Sequence, residues 1–153
     1  MQNFMAGEYG TDDYPACDPA ARCYCSGQAA QETDLVTSDS VRKVAVFGLG
    51  SMGYGMAQSL LRAGHVVHGF DVVPAVMDRF AAEGGAAGDL ADIAPDLDAV
   101  VVVVLNAEQT EAVLFGDNGI VPRLRSGAVV VSCATVPPDF ARAMAAACES
   151  HQI

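Results

Sequence analysis

Residues 44–53 read Val-Ala-Val-Phe-Gly-Leu-Gly-Ser-Met-Gly, and the reading of this stretch decides the fold. Val44-Ala45-Val46-Phe47 is a short β-branched and apolar run stopped by Gly48, the pattern of a strand buried on both faces in a parallel sheet. Gly48-Leu49-Gly50-Ser51-Met52-Gly53 follows at once and fits Gly-x-Gly-x-x-Gly. Behind it Met52, Met56 and Leu60, with Ala57 and Leu61 beside them, recur at helical spacing as far as Gly64, which is placed to end the helix. A strand, a glycine-rich turn and a helix therefore stand in immediate succession.

The same alternation continues outward. A second strand spans Val66 to Asp71. Pro74 opens a helix that runs through Val76, Met77 and Phe80 to Gly84-Gly85, and a small helix follows near Asp89 to Ala94. Asp98 to Leu105, with five consecutive valines, is the plainest strand of the chain. A helix from about Ala107 to Leu114 leads into the turn Gly116-Asp117-Asn118-Gly119. Ala128 to Ser132 is a further strand, and a last helix begins near Pro137-Pro138 with Phe140, Ala141, Met144 and Cys148 on one side. Strands alternating with helices predict an α/β protein built on a doubly wound parallel sheet with right-handed crossovers and three layers, the Rossmann architecture, stopping before its final strands.

In that context each loop glycine has a physical task. Gly48 permits the tight turn, Gly50 lets backbone approach a pyrophosphate with no Cβ in the way, and Gly53 lets the helix pack closely on the strand. The free N–H groups of the helix start, at the positive end of its dipole, then face phosphates. Asp71 closes the second strand 18 residues beyond Gly53, where a carboxylate can accept hydrogen bonds from the adenosine ribose hydroxyls. The other reading of Asp71 is a turn residue that caps its own loop. A carboxylate there repels a 2′-phosphate, and Val72-Val73 offers no arginine to attract one, so NAD is expected rather than NADP.

Composition narrows the partners. The chain has 153 residues, 52% of them hydrophobic, and a formal charge of −11. Residues 1–40 hold seven acids and one base, Arg22, and residues 41–153 hold twelve acids and seven bases. Nucleic acid is a poor partner for such a surface. The longest apolar run, Ala99 to Leu105, is seven residues, too short to span a bilayer. No signal or transit peptide is legible, and the expected location is a reducing cytosol. Residues 1–40 show no helical or alternating apolar period and read as a disordered acidic tail ahead of a domain over 41–153. Cys17, Cys23 and Cys25 in that tail leave a fourth metal ligand unassigned, and the five cysteines of the chain do not read as a disulfide framework.

Val46-Phe47-Gly48-Leu49-Gly50-Ser51-Met52-Gly53-Tyr54-Gly55-Met56-Ala57 closely resembles the opening signature of the β-hydroxyacid dehydrogenases, the superfamily of 3-hydroxyisobutyrate and 6-phosphogluconate dehydrogenases. Ala63-Gly64-His65-x-Val67 fits it too, as does Val113-Leu114-Phe115-Gly116-Asp117-Asn118-Gly119-Ile120. The run Asn106 to Gly116 looks most like the L-threonate dehydrogenase branch. The resemblance extends over residues 42–153. It implies that Leu105 and Asn106, where many relatives have Leu-Pro, line the cofactor cleft. It also implies that Thr135 sits near the nicotinamide ribose, in the place of a Ser-Thr pair whose serine is Ala134 here. Thr135 also reads as an N-cap for the helix that Pro137-Pro138 initiates.

Members of this family continue into an Asp-Ala-Pro-Val-Ser-Gly-Gly substrate loop and a helical domain whose lysine is the catalytic acid/base. The only lysine here is Lys43, at the start of the first strand and so opposite the ligand-binding end of the sheet. His65, His68 and His151 have no carboxylate partner at a useful spacing and read as packing or surface residues. No catalytic residue is assigned. Three readings stay open: an NAD-binding dehydrogenase half with little turnover alone, a non-catalytic NAD-binding or dimerising module whose exposed sheet edge favours self-association, and an enzyme whose substrate half is a separately encoded polypeptide.

Overall fold

The computed structural model describes residues 40–153. The acidic N-terminal stretch, with Cys17, Cys23 and Cys25, lies outside the described residues. Four strands, β1 (Lys43–Phe47), β2 (Val66–Phe70), β3 (Ala99–Val102) and β4 (Val129–Ser132), form one sheet in the order β2-β1-β3-β4, and every pairing is parallel. Between and after them lie helices α1 (Ser51–Arg62), α2 (Pro74–Ala82), α3 (Leu90–Ile93), α4 (Ala107–Phe115) and α5 (Pro138–Ser150). Short 3₁₀ turns span Ala94–Asp96 and Val121–Arg123.

The alternation of strand side chains divides the interior into two layers of packing. Val44 and Val46 with Val67, Ala57, Leu49 and Phe80 fill the side covered by α1 and α2. Ala45, Val100 and Val102 with Leu114, Ile120, Leu97 and Cys148 fill the other. Apolar side chains on both faces explain why the strands read as continuous rather than alternating runs. Helices on both faces make the three layers expected from the sequence.

From β1 the chain crosses to β2 on one side, and from there it returns past β1 to β3 on the other. The crossovers therefore diverge at the C-terminal ends of β1 and β3, which is where doubly wound sheets bind ligands. Ala86 makes a single parallel bridge to His68 on the outer side of β2. With that bridge counted, the spatial order is the 3-2-1-4-5 of a dinucleotide-binding sheet, its third strand reduced to one residue.

Two strand ends and the inward face of one helix differ from the sequence expectation. β3 ends at Val102 rather than Leu105. Val103 still donates its N–H to Phe47 O at 2.8 Å, but β1 then turns away at Gly48 and leaves Val104 and Leu105 no ladder partner. β2 ends at Phe70, whose carbonyl accepts the N–H of Gly48 at 2.8 Å. On α1 the inward face is Gly53 and Ala57 with Leu60 and Leu61, while Met52 is 67% exposed and Met56 lies at the surface. The close approach of Gly53 to the strand fixes the phase of the helix, and at 100° per residue that turns Met52 outward.

The N-terminal edge of the sheet is tied by charge. Asp98 accepts from the Lys43 N–H at 2.8 Å, from Arg125 at 2.5 Å and from Arg42 at 3.4 Å. Those bonds, the Lys43 N–H first, hold its carboxyl below the usual carboxylate range. Lys43 Nζ pairs with Asp96 at 2.8 Å. The only lysine is thus engaged at the edge away from the strand C-termini.

His68 is a buried imidazole in the middle of β2, and its Nδ1 has no hydrogen-bond partner among the described residues. Burial, with a smaller push from Lys43 and against a hydrogen bond to the Ala86 backbone, lowers its pKa below 6.5. The folded state therefore binds fewer protons at this site than the unfolded chain. Its contribution to stability is full above pH 6.5 and falls as pH drops from 6.5 toward the lowered value. Urea midpoints taken from pH 7.5 down to about 5.5 should fall for the native chain and stay flatter for His68→Leu. Parallel profiles for the two would rule out this origin.

Candidate functional site

The glycine loop, Asp71, Leu105-Asn106 and Thr135 all lie at the C-terminal edge of the sheet, each in the segment that follows a strand. Gly48 has φ +92°, and a Cβ there would collide with the carbonyl oxygen of Val103. Gly53 is tighter still: its Cβ would fall on the carbonyl of Gly48 and within 3.3 Å of Val103 Cβ. A Cβ on Gly50 would meet nothing within 4 Å, so this position fronts open space. Two glycines serve packing, and the third leaves the backbone uncovered toward the cleft.

The start of α1 has the character of an anion site. Gly50 is its N-cap and supplies no side-chain hydrogen bond. By contrast Asp89 caps α3 and Asn106 caps α4 with their side-chain oxygens. The first N–H groups of a helix need an acceptor from outside the helix, and no acidic residue stands in the first turn of α1 to supply one. The dipole of this twelve-residue helix adds a partial positive charge at the same place.

Leu49 is only 3% exposed and its side chain belongs to the core between sheet and helices. Its N–H donates to Asp71 Oδ2 at 2.7 Å, and Asp71 Oδ1 accepts from the Val73 N–H at 2.9 Å. Asp71 thus caps its own loop and also ties that loop to the glycine turn. A carboxylate offers about four lone-pair positions, and two of Asp71's are used in these bonds. Both readings of Asp71 remain compatible with this geometry. Beside it Val72 is 96% exposed and carries no charge.

Across the cleft, Leu105 is 85% exposed and Asn106 opens α4. Asn106 Oδ1 accepts the Gln109 N–H at 2.9 Å, and Gln109 Oε1 accepts the Leu105 N–H at 3.0 Å. Gln109 is the residue at this edge that the sequence reading missed. An Asn three positions ahead of a Gln at a helix start is a capping-box spacing and was the available signal. Thr135 lies exposed in the loop after β4. It does not cap α5, whose N-cap is Pro137, because the helix starts two residues beyond the reach of its hydroxyl.

No group of His, Cys, Asp and Glu among the described residues is arranged to hold a metal ion. None of the three histidines stands at the C-terminal edge: His65 precedes β2, His68 is buried within it, and His151 follows α5 beside Phe115. No helix among the described residues is long and apolar enough to cross a membrane.

Sheet order, glycine turn and terminal acid together define a dinucleotide-binding domain of the doubly wound class. Residues 43–153 match the family described as the NAD-binding domain of 6-phosphogluconate dehydrogenase, and the chain belongs to that family. It is 50% identical over 104 residues to the L-threonate dehydrogenase of Cupriavidus necator, covering 67% of this chain and 35% of that protein. The 3-hydroxyisobutyrate dehydrogenase of Pseudomonas aeruginosa is 35% identical over 105 residues, 68% of this chain and 35% of that one. The crystal structure of 3-hydroxyisobutyrate dehydrogenase from Salmonella typhimurium superimposes with a TM-score of 0.67 at 37% identity, over 72% of this chain and 39% of that one. The chain spans about a third of the length of these relatives. This is the NAD-binding domain of a β-hydroxyacid dehydrogenase-type fold, in agreement with the resemblance read from residues 46–57.

Proposed function

We propose that residues 41–153 hold NAD at the uncapped start of α1 as the cofactor half of an oxidoreductase acting on a 3-hydroxy acid such as L-threonate or 3-hydroxyisobutyrate. The observation that carries this reading is the helix whose first N–H groups lack a protein cap, set at the sheet's switch point. The N–H groups of Gly50, Ser51, Met52 and Gly53 take the pyrophosphate, and Asp71 takes the adenosine ribose hydroxyls with its remaining lone pairs. Leu105, Asn106 and Thr135 line the far side toward the nicotinamide. The bound cofactor supplies hydride acceptance. This chain's own residues supply binding and orientation, and Leu49 contributes through its buried side chain and its bond to Asp71.

Oxidation of an alcohol also needs a base for the hydroxyl proton. Among the described residues no histidine or lysine stands at this edge, and Lys43 is held by Asp96 at the opposite one. The base and the substrate contacts therefore come from polypeptide of the kind that makes up the unmatched two thirds of the relatives. β4 ends the sheet, with Val129 55% and Val131 44% exposed on one face, and is the edge at which that polypeptide joins.

Asp71 beside the uncharged Val72 favours NAD over NADP, since two like charges in contact repel. Titration of the purified chain with NADH up to about 1 mM, followed by nicotinamide fluorescence, should saturate, with NADPH weaker by about tenfold or more. Val72→Arg should narrow that ratio by giving a 2′-phosphate a partner. A linear, unsaturating NADH signal would defeat the proposal.

A further inference from the structure

We infer that Gln109 is a positioning residue for the cofactor cleft, fixing the Leu105-Asn106 turn through its side-chain carbonyl. The inference rests on the reading that this turn lines the NAD site. Leu105 is 85% exposed and Asn106 is exposed, so core packing of these side chains does not hold the turn. Two reciprocal side-chain bonds hold it instead. Asn106 Oδ1 accepts from the Gln109 N–H at 2.9 Å, and Gln109 Oε1 reaches back four residues to the Leu105 N–H at 3.0 Å.

The arrangement has a chemical consequence at Asn106. With Oδ1 committed to the Gln109 N–H, the polar group left free on the exposed Asn106 side chain is Nδ2, a donor only. The ring of bonds thus fixes the orientation of an amide whose two ends are otherwise interchangeable. The turn presents a donor to an acceptor-rich ligand, which suits the ribose and phosphate oxygens of a dinucleotide. Thr110, buried at 1% exposure, adds a hydroxyl bond to the Asn106 carbonyl at 2.9 Å and anchors the same turn from beneath.

Gln109 is exposed and among the described residues its side chain bonds only within this turn, so its loss should reach cofactor affinity more than folding. NADH titration and thermal unfolding on the full chain separate the two for Gln109→Leu, Gln109→Glu and Ala112→Gly. Gln109→Leu removes the acceptor at similar size and should raise the Kd for NADH about three- to tenfold with little change in Tm. Gln109→Glu keeps a carbonyl-type acceptor and should restore most of the affinity. Ala112→Gly, on the exposed side of α4, weakens the helix and should lower Tm with Kd unchanged. A native Kd for Gln109→Leu in a chain that binds NADH overturns the inference alone, as does a Kd that follows Tm across all three variants. No saturable binding by the native chain overturns the NAD reading and this inference with it.

Discussion

Gly53→Ala should leave a domain that is severely destabilised and no longer binds NADH. The added Cβ falls on the carbonyl group of Gly48 and meets Val103 Cβ at 3.3 Å, and all of these are backbone or Cβ atoms that cannot swing aside. Relief requires α1 to move off β1, which breaks the packing of Ala57, Leu60 and Leu61 against Val44, Val46 and Val67. Overpacking of a close interface costs about 1–3 kcal/mol and more where backbone must move, against a total of about 5–15 kcal/mol for a typical domain. Gly50→Ala is the matched comparison. Its Cβ meets nothing within 4 Å and its φ of −68° suits any residue. It should keep the native urea midpoint while weakening NADH. Equal midpoints for Gly53→Ala and the native chain would contradict the packing role given to Gly53.

Asp71→Ala should weaken NADH by about tenfold to a hundredfold, the equivalent of one or two hydrogen bonds to a charged group. Two causes contribute and can be separated. One is the loss of the tether, because the part-buried Leu49 N–H loses its acceptor at 2.7 Å and the glycine turn loosens. The other is the loss of contact with the ribose hydroxyls. Loosening the turn weakens NADH and NADPH alike, whereas removing a carboxylate from the 2′-position also relieves its repulsion of a 2′-phosphate. The ratio of NADPH to NADH dissociation constants should therefore fall toward one in Asp71→Ala. An unchanged ratio with both affinities reduced would reduce Asp71 to a structural tether.

The sequence was most legible where structure is local. Val44 to Gly53 sets a strand, a turn with positive φ at Gly48 and a helix start within ten residues, and each follows from steric and hydrogen-bonding rules that act over a few positions. Asp71 was legible as a site candidate because it falls where a strand ends. Its bond to Leu49, 22 residues away, was not, because it depends on β1 and β2 being in register. The same long-range geometry hid the early end of β3 and the outward turn of Met52, both set by contacts of Gly48 and Gly53 with Val103. Leu49 stands inside the glycine motif, and only the tertiary structure shows its side chain facing the core. The cap at Thr135 failed for a local reason: the helix begins at the second of the two prolines. His68 shows what composition conceals, since it is buried in β2 where Ala86 bridges it from the outer side. Conversely, the Asn106 to Gln109 spacing is a local signal that the capping rule reads directly.

NAD is proposed to bind across the start of α1 and the ends of β2 and β3. Backbone amide spectra of the isotopically labelled chain, recorded with and without NADH, test it most directly. The amides of Gly50, Ser51, Met52 and Gly53, and those of Val73, Leu105 and Asn106, should shift in a saturable way, while Lys43, Asp98 and Gly127 at the opposite edge stay in place. Shifts confined to that opposite edge, or none at saturating cofactor, would contradict it.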